Sequence, residues 1–297
     1  MRVVITGSGG LIGTALRASL AVDGHEAVRL VRRAPTGPDE IQWDPERGQL
    51  DPARLEGVDA VVNLAGAPIG TRRWSDSYKR EILVSRANAT HTVAEAVAKL
   101  DRPPQVFVSA SGIYLYGSDH GSEVLDEEEA PGTGFLARVC EQWEAAAEPA
   151  ATADIPVCHP RIGLVMSRKG GALARMLPWF RVGLGGPLGG GEQYWSHISL
   201  TDTVRALRFL IETPGCIGPY NVTAPEPVKN AEFARVLAYL LRRPTLLPVP
   251  AVALQIRFGE MASHPLSSLR VLPARLMAAG FTFEHPTARH VVADALR

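Results

Sequence analysis

The sequence predicts an α/β fold, a doubly wound parallel sheet with a smaller, mostly helical C-terminal lobe. Three observations lead there. Short, Val-rich apolar runs recur at 2–7, 27–33, 60–66, 105–111, 157–163 and 219–224. Near-continuous hydrophobicity of this kind suits strands buried on both faces of a parallel sheet. Helix-like segments at 11–22, 76–99, 134–150 and 202–212 lie between them, and that alternation builds right-handed βαβ units. The third observation is length: 297 residues suffice for one large α/β domain or a nucleotide domain with a smaller partner.

The first strand runs directly into TGSGGLIG, with Gly7, Gly10 and Gly13 spaced as GxxGxxG. Gly7 allows a tight turn, Gly10 lets backbone approach a pyrophosphate, and Gly13 lets the next helix pack closely on the strand. That helix is amphipathic, with Leu11, Ile12, Ala15, Leu16 and Leu20 able to face the sheet. Its N-terminus offers free N–H groups and a positive dipole end to phosphates. The alternative is a glycine-rich turn that binds nothing.

The second strand ends in Arg32 and Arg33, with no acid until Asp39. NAD binders usually place Asp or Glu here, ~20 residues past the glycines, on the ribose hydroxyls. Guanidinium groups suit a 2′-phosphate instead, so NADP(H) is the expected cofactor; two solvated arginines are the other reading. The third strand ends in NLAG, where Leu64, Ala65 and Gly66 would let a dinucleotide lie close to backbone, although turn chemistry alone explains a glycine.

The fourth strand ends in VSAS, at Ser109 and Ser111, and IYLYG follows with Tyr114 and Tyr116. Asp126 and Glu127 to Glu129 come next and read as solvated acids or as partners of the following helix dipole. That helix carries PGTGFLARVCEQWE. After the fifth strand, which closes on Arg161 and Gly163, the pattern weakens. Residues 166–198 and 225–297 read as a smaller lobe in two pieces, with helices near 230–241, 250–262, 273–279 and 287–297. The run PYNVTA at 219–224 returns to the main sheet. The division is therefore 1–165 for the nucleotide domain and 166–297 for the substrate lobe, with a cleft between them.

Composition excludes several classes. The net charge is zero, with 31 basic and 31 acidic residues, so no polyanion partner such as nucleic acid is expected. Cys140, Cys158 and Cys216 form no CxxC, which points to a reducing cytoplasm. The chain opens on a strand pattern rather than a signal peptide. No apolar run approaches the ~20 residues that span a bilayer. The eight histidines show no HExxH spacing, so no metal is expected. The oligomeric state stays open, a homo-oligomer included.

The quoted stretches, together with RRWSDSYKREILVSR, RIGLVMSRKGGALARMLPWFRVGLGGPLGGGEQ and VLPARLMAAGFTF, resemble the extended short-chain dehydrogenase/reductase superfamily. Within it they are most similar to an atypical, sugar-epimerase-like branch known as the epimerase family. The resemblance runs the length of the chain and implies a Rossmann sheet that binds NADP(H). It also implies that Glu81, Arg86 and Val165 lie near the cofactor; an exposed ion pair is the plain alternative for Glu81 and Arg86. The superfamily's chemistry uses a serine after the fourth strand with a YxxxK pair on the next helix. A cation beside the tyrosine makes its phenolate accessible. Here Ser111 matches, whereas Phe135 and Val139 stand where tyrosine and lysine would stand. Tyr114 and Tyr116 of IYLYG remain as candidates for the catalytic tyrosine, Tyr116-Gly117 matching the superfamily's YG, against an aromatic wedge that only packs. Trp195 and His197 read either as lining the cleft or as a packed core pair.

Two functions follow. One is an NADP(H)-dependent oxidoreductase or epimerase-like enzyme on a small-molecule substrate, using Ser111 and Tyr116, with the cofactor carrying hydride. The other is a catalytically silent NADP(H)-binding protein that responds to redox state; a scaffold with a structural cofactor is its plainest form.

Overall fold

The computed structural model describes residues 1–245 and 248–297. Its elements are β1 Arg2–Thr6, α1 Leu11–Val22, β2 Glu26–Val31, β3 Glu40–Gln42, β4 Ala60–Asn63, α2 Asp76–Val97, β5 Val106–Ser109 and β6 Ser111–Gly112. A 3-10 turn Ile113–Tyr116 follows, then β7 Val124–Leu125, α3 Phe135–Ala145, α4 Glu148–Thr152, β8 Val157–Ile162, β9 Leu164–Met166 and α5 Gly171–Arg181. The chain continues through β10 Tyr194–Trp195, β11 His197–Ser199, α6 Leu200–Glu212, β12 Gly218–Val222, β13 Val228–Lys229 and α7 Asn230–Leu241. It closes with α8 Ala251–Phe258, a 3-10 turn Gly259–Ala262, α9 Ser263–Leu266, β14 Arg270–Val271, α10 Ala274–Ala278 and α11 Ala288–Leu296.

The main sheet runs β12-β8-β5-β4-β1-β2-β3, with β6 also on β8, and every pairing is parallel. All six strands expected from the apolar runs lie in it, PYNVTA among them, since Tyr220 pairs with Pro160 and Val222 with Ile162. Strand alternation divides the apolar residues between two faces. Val3, Ile5, Val62 and Val108 pack with Leu16 and Leu20 of α1 and Leu207 and Leu210 of α6. Val4, Val28, Val61 and Phe107 pack with Ala89, Val93 and Val97 of α2 and Ala150 of α4. Each Val, Leu, Ile or Phe side chain among them, fully buried, contributes about 1.5–3 kcal/mol.

A third core joins Met166 of β9, Leu173 and Leu177 of α5, Trp195, Phe233 and Leu237 of α7, and Val291 and Val292 of α11. Small ladders stitch this part to the rest: β11 on β9, β10 on β13, and β14 on β7.

Two elements differ from the sequence expectation. β3 was not expected, because three residues carry no readable period; its register on β2 pairs Arg29 with Glu40. The helix expected over 134–150 breaks into α3 and α4, with Pro149 in the first turn of α4. Proline has no N–H to continue the ladder of α3 but suits a first turn.

Because the sheet is parallel, Thr6, Asn63, Ser109 and Ile162 all finish on one edge. That edge is where open α/β sheets bind ligands.

Candidate cofactor and substrate site

The turn after β1 is built for close approach. Gly7 has φ +61°, and a Cβ there would stand 2.5 Å from the Leu64 carbonyl oxygen. A Cβ on Gly13 would overlap the Gly7 carbonyl oxygen, so strand and helix touch backbone to backbone. Gly10 caps α1, its N–H donating to Gly7 O at 2.9 Å. Gly9 and Gly10 are exposed, and a Cβ on Gly9 would meet nothing within 4 Å. The N–H groups of Leu11, Ile12 and Gly13 find no acceptor among the described residues. Helix N-termini leave such donors free for capping groups or anions, and no acidic side chain sits in this first turn. The donor set fits a phosphate.

Beneath the turn, a polar chain fixes the neighbouring strand ends. Thr6 Oγ1 donates to Asn63 Oδ1 at 2.6 Å, and Asn63 Nδ2 donates to Thr90 Oγ1 at 2.7 Å. The N–H groups of Leu64 and Ala65 donate back to Thr6 Oγ1 at 3.0 and 3.1 Å. Thr6, Asn63 and Thr90 are wholly enclosed. This network holds the Leu64–Ala65–Gly66 stretch against Gly7, and single residue types in the sequence gave no sign of it. Leu11, one end of the cradle, also lies under Gly170 before α5, where a Cβ would contact its side chain at 3.5 Å. Val165 sits in β9 opposite Ile198, half-buried.

The two arginines after β2 part company. Arg33 spans the Glu40 carboxylate, NH1 to Oε2 at 2.7 Å and NH2 to Oε1 at 2.5 Å, while Arg29 and the Thr36 N–H also bind it. These partners pull Glu40 down to about 2. The acid is hidden from the sequence reading because it arrives on β3. Arg32 is exposed and makes no ion pair among the described residues. Of the expected pair, Arg32 is the one left open to a ligand.

Glu81 and Arg86 do not come together. Five residues apart on α2, they point to different sides of the helix. Glu81 is exposed and pairs with Arg72. Arg86 is buried, donating from NH1 to the carbonyls of Ala67 and Ile82 at 2.9 Å, with its guanidinium 4.9 Å from the Trp143 ring. A Cβ on Gly66 would lie 3.0 Å from the Arg86 side chain, so Arg86 floors the turn after β4. Of the two, Arg86 is thus at the turn after β4, and Glu81 is on the exposed side of α2 with Arg72.

Ser111 is 3% exposed, and its hydroxyl has no hydrogen-bond partner. The Cys140 thiol of α3 lies next to it, pushed up to about 11 by burial. The catalytic role expected of Tyr116 meets an obstacle. Its hydroxyl donates to Asn221 Oδ1 at 2.7 Å and accepts from Arg161 NH1 at 3.0 Å. Arg161 in turn holds Glu144 of α3 at 2.9 and 3.1 Å. Tyr116 is 1% exposed, and burial drives it up to about 12. It braces the 3-10 turn, α3, β8 and β12 and has no open side for a substrate. Glu127, expected in a solvated run, turns inward to accept the N–H groups of Asn221 at 2.8 Å and Arg275 at 3.2 Å.

Phe135 opens α3 after Gly134, whose φ is +113°. It is half-buried, while Val139 packs with Leu136, Tyr78 and Ile82. Trp195 and His197 belong to the third core: each ring centroid is 5.5 Å from that of Phe233, and the His197 Nδ1–H donates to the Trp195 carbonyl at 3.1 Å.

Comparison with known proteins fits this geometry. The model of the NAD dependent epimerase/dehydratase family matches residues 3–223, and a domain of unknown function, DUF1731, matches 249–295. An epimerase family protein of Mycobacterium bovis is 46% identical over 96% of this chain and 94% of its own length. The crystal structure of human epimerase family protein SDR39U1 with NADPH superposes with a TM-score of 0.92 at 34% identity, covering 100% of this chain and 99% of that one. A nucleoside-diphosphate sugar epimerase from Corynebacterium glutamicum gives 0.81 at 35% identity, covering 100% of this chain and 58% of that chain.

Proposed function

The chain belongs to the NAD dependent epimerase/dehydratase family, and on that premise we propose that it is an NADP(H)-dependent oxidoreductase or epimerase-like enzyme acting on a small molecule. The observation that carries the reading is the row of N–H groups at residues 11–13 that find no acceptor among the described residues, next to Gly9, where a Cβ would meet nothing within 4 Å. In this reading Gly7, Gly10, Leu11, Ile12 and Gly13 hold the diphosphate. Arg32, flanked by the Arg33–Glu40 pair, meets the 2′-phosphate. Leu64, Ala65 and Gly66 border the adenosine side, and Arg86 and Val165 border the nicotinamide half. The human relative solved with NADPH supports the choice of NADP(H).

The bound cofactor supplies or takes the hydride. What the chain adds is position: Ser111, at the strand end with the Cys140 thiol beside its hydroxyl, orients the reacting oxygen. The substrate lobe is residues 166–297, with β12 belonging to the sheet. Three buried, unpaired cysteines are consistent with a reducing cytoplasm, and no helix among the described residues is long and apolar enough to cross a membrane.

Titrating the protein with NADPH and NADH, following the cofactor's fluorescence, tests the cofactor assignment. NADPH should bind more tightly by ~10-fold or more, and Arg32→Ala should erase most of that difference, a charge-assisted contact being worth about 1.5–3 kcal/mol. Equal affinities in the unaltered protein would refute the role of Arg32. The second reading, a silent NADP(H)-binding protein that responds to redox state, is favoured by one observation: Tyr116, the tyrosine that matches the superfamily's YG, is tied to Arg161 and Asn221. Transfer of hydride from NADPH to any carbonyl compound above the background rate would dismiss it.

A further inference from the structure

The chain as a whole is neutral, with 31 basic and 31 acidic residues, yet two of its stretches hold no acid at all. Residues 171–191 cover α5 and the glycine-rich run after it, and residues 233–259 cover most of α7, the link beyond it and α8. Between them they carry six arginines: Arg175, Arg181, Arg235, Arg242, Arg243 and Arg257. All six are exposed, and none makes an ion pair among the described residues. Of the bordering acids, Glu192 is taken by Lys229 and Glu260 by Lys79, both at 2.7 Å. Glu232, in the first turn of α7, is the one left over.

The fold lays these stretches side by side. The Gly189 N–H donates to the Val249 carbonyl and the Val249 N–H to the Pro187 carbonyl, each at 2.8 Å. A Cβ on Gly183 would touch the Pro244 ring at 3.7 Å. Large apolar side chains stand out from the same stretches. Trp179 and Val182, three residues apart, share the outer side of α5, and Leu184 follows; Val252 and Ile256, four apart, share the outer side of α8. These five are 62–73% exposed, whereas Leu173, Leu177 and Leu254 on the inner sides are buried. Exposed apolar residues scattered singly are ordinary, but a group of them marks an interaction surface.

We infer, independently of the cofactor reading, that this face is a docking surface for an anionic lipid bilayer. Arginine pairs with the phosphate and carboxylate groups of such lipids, while tryptophan and aliphatic side chains sink into the headgroup boundary. α5 and α8 each carry both kinds outward, as helices lying in that plane do. No helix among the described residues is long and apolar enough to cross the bilayer, so the contact is with one leaflet. A second copy of the chain fits less well, because a twofold pair sets the same face against itself, arginine against arginine. Nucleic acid would meet the arginines and leave the aliphatic side chains in water.

The full chain is mixed with sedimentable vesicles of phosphatidylcholine, or of equal parts phosphatidylcholine and phosphatidylserine, and the bound fraction is measured. Binding to the anionic vesicles alone is expected, weakening as salt rises. An arginine at the surface is worth on the order of 5-fold in partition, so Arg242→Glu with Arg243→Glu should lower it by ~25-fold or more. Trp179→Ser with Ile256→Ser should lower it by about 10-fold. All four side chains are exposed, so unchanged melting temperatures show that the variants fold. No binding to the anionic vesicles, equal binding to both kinds, or full binding by either variant would overturn the inference. So would self-association that Trp179→Ser with Ile256→Ser abolishes, or retention of duplex DNA in place of the vesicles.

Discussion

At the residue scale, the serine and the tyrosine that looked like partners have different positions in the fold. The Ser111 hydroxyl is not tied into a polar network as that of Tyr116 is, so Ser111→Ala should leave NADPH affinity unchanged while abolishing any hydride transfer; a turnover equal to the unaltered protein would remove Ser111 from the chemistry. Tyr116 joins Asn221 and Arg161. Tyr116→Phe should therefore cost about 1–3 kcal/mol in urea unfolding, the penalty for stranding buried polar groups, with NADPH affinity retained. The sequence exposed the serine because its place after a strand is local information. It hid the tyrosine's partners, since Asn221 and Arg161 lie 105 and 45 residues away. The same limit applies to Arg33, whose carboxylate partner is brought by a three-residue strand with no pattern of its own.

At the scale of elements, the strand–turn–helix that opens the chain is set by glycines, and here sequence and structure coincide. Gly13 has no room for a methyl group against the Gly7 carbonyl. Gly13→Ala should push α1 off β1, lower the melting temperature and weaken NADPH by ~10-fold or more, because displacing the helix misaims the N–H groups that meet the phosphates. Thermal melts with and without NADPH check both effects. The helix after the acidic run is the contrasting case. Its sequence set Phe135 and Val139 where tyrosine and lysine would stand, and in the fold Val139 packs with Leu136 against Tyr78 and Ile82 of α2. The half-buried state of Phe135, and the Trp74 and His264 rings that join it, depend on α9 and the loop before α2, segments no local pattern could bring together.

At the scale of the molecule, the enclosed His197 and the half-buried His264 give the fold a pH dependence. Burial lowers both His197 and His264 to about 4, against about 6.5 for an unfolded chain. The unfolded chain thus binds more protons between these values, so stability is full above about pH 6.5 and is lost as pH falls toward 4. For His197, wholly enclosed, the loss is on the order of 3 kcal/mol. His197→Gln should flatten the fall in melting temperature between pH 7 and pH 5; an identical slope would show that other groups govern it. By itself the sequence determined the parallel sheet, its strand ends and the glycine turn before α1, because buried strands, glycine turns and helix starts are written in residues close along the chain. Tertiary structure alone decided that Arg33 pairs with Glu40 while Arg32 makes no ion pair among the described residues, that Glu81 pairs with Arg72, and that the Tyr116 hydroxyl is held by Asn221 and Arg161. Those outcomes depend on which distant side chains share a low-dielectric interior, and a buried charge or hydroxyl goes to whatever partner the fold brings within hydrogen-bond reach.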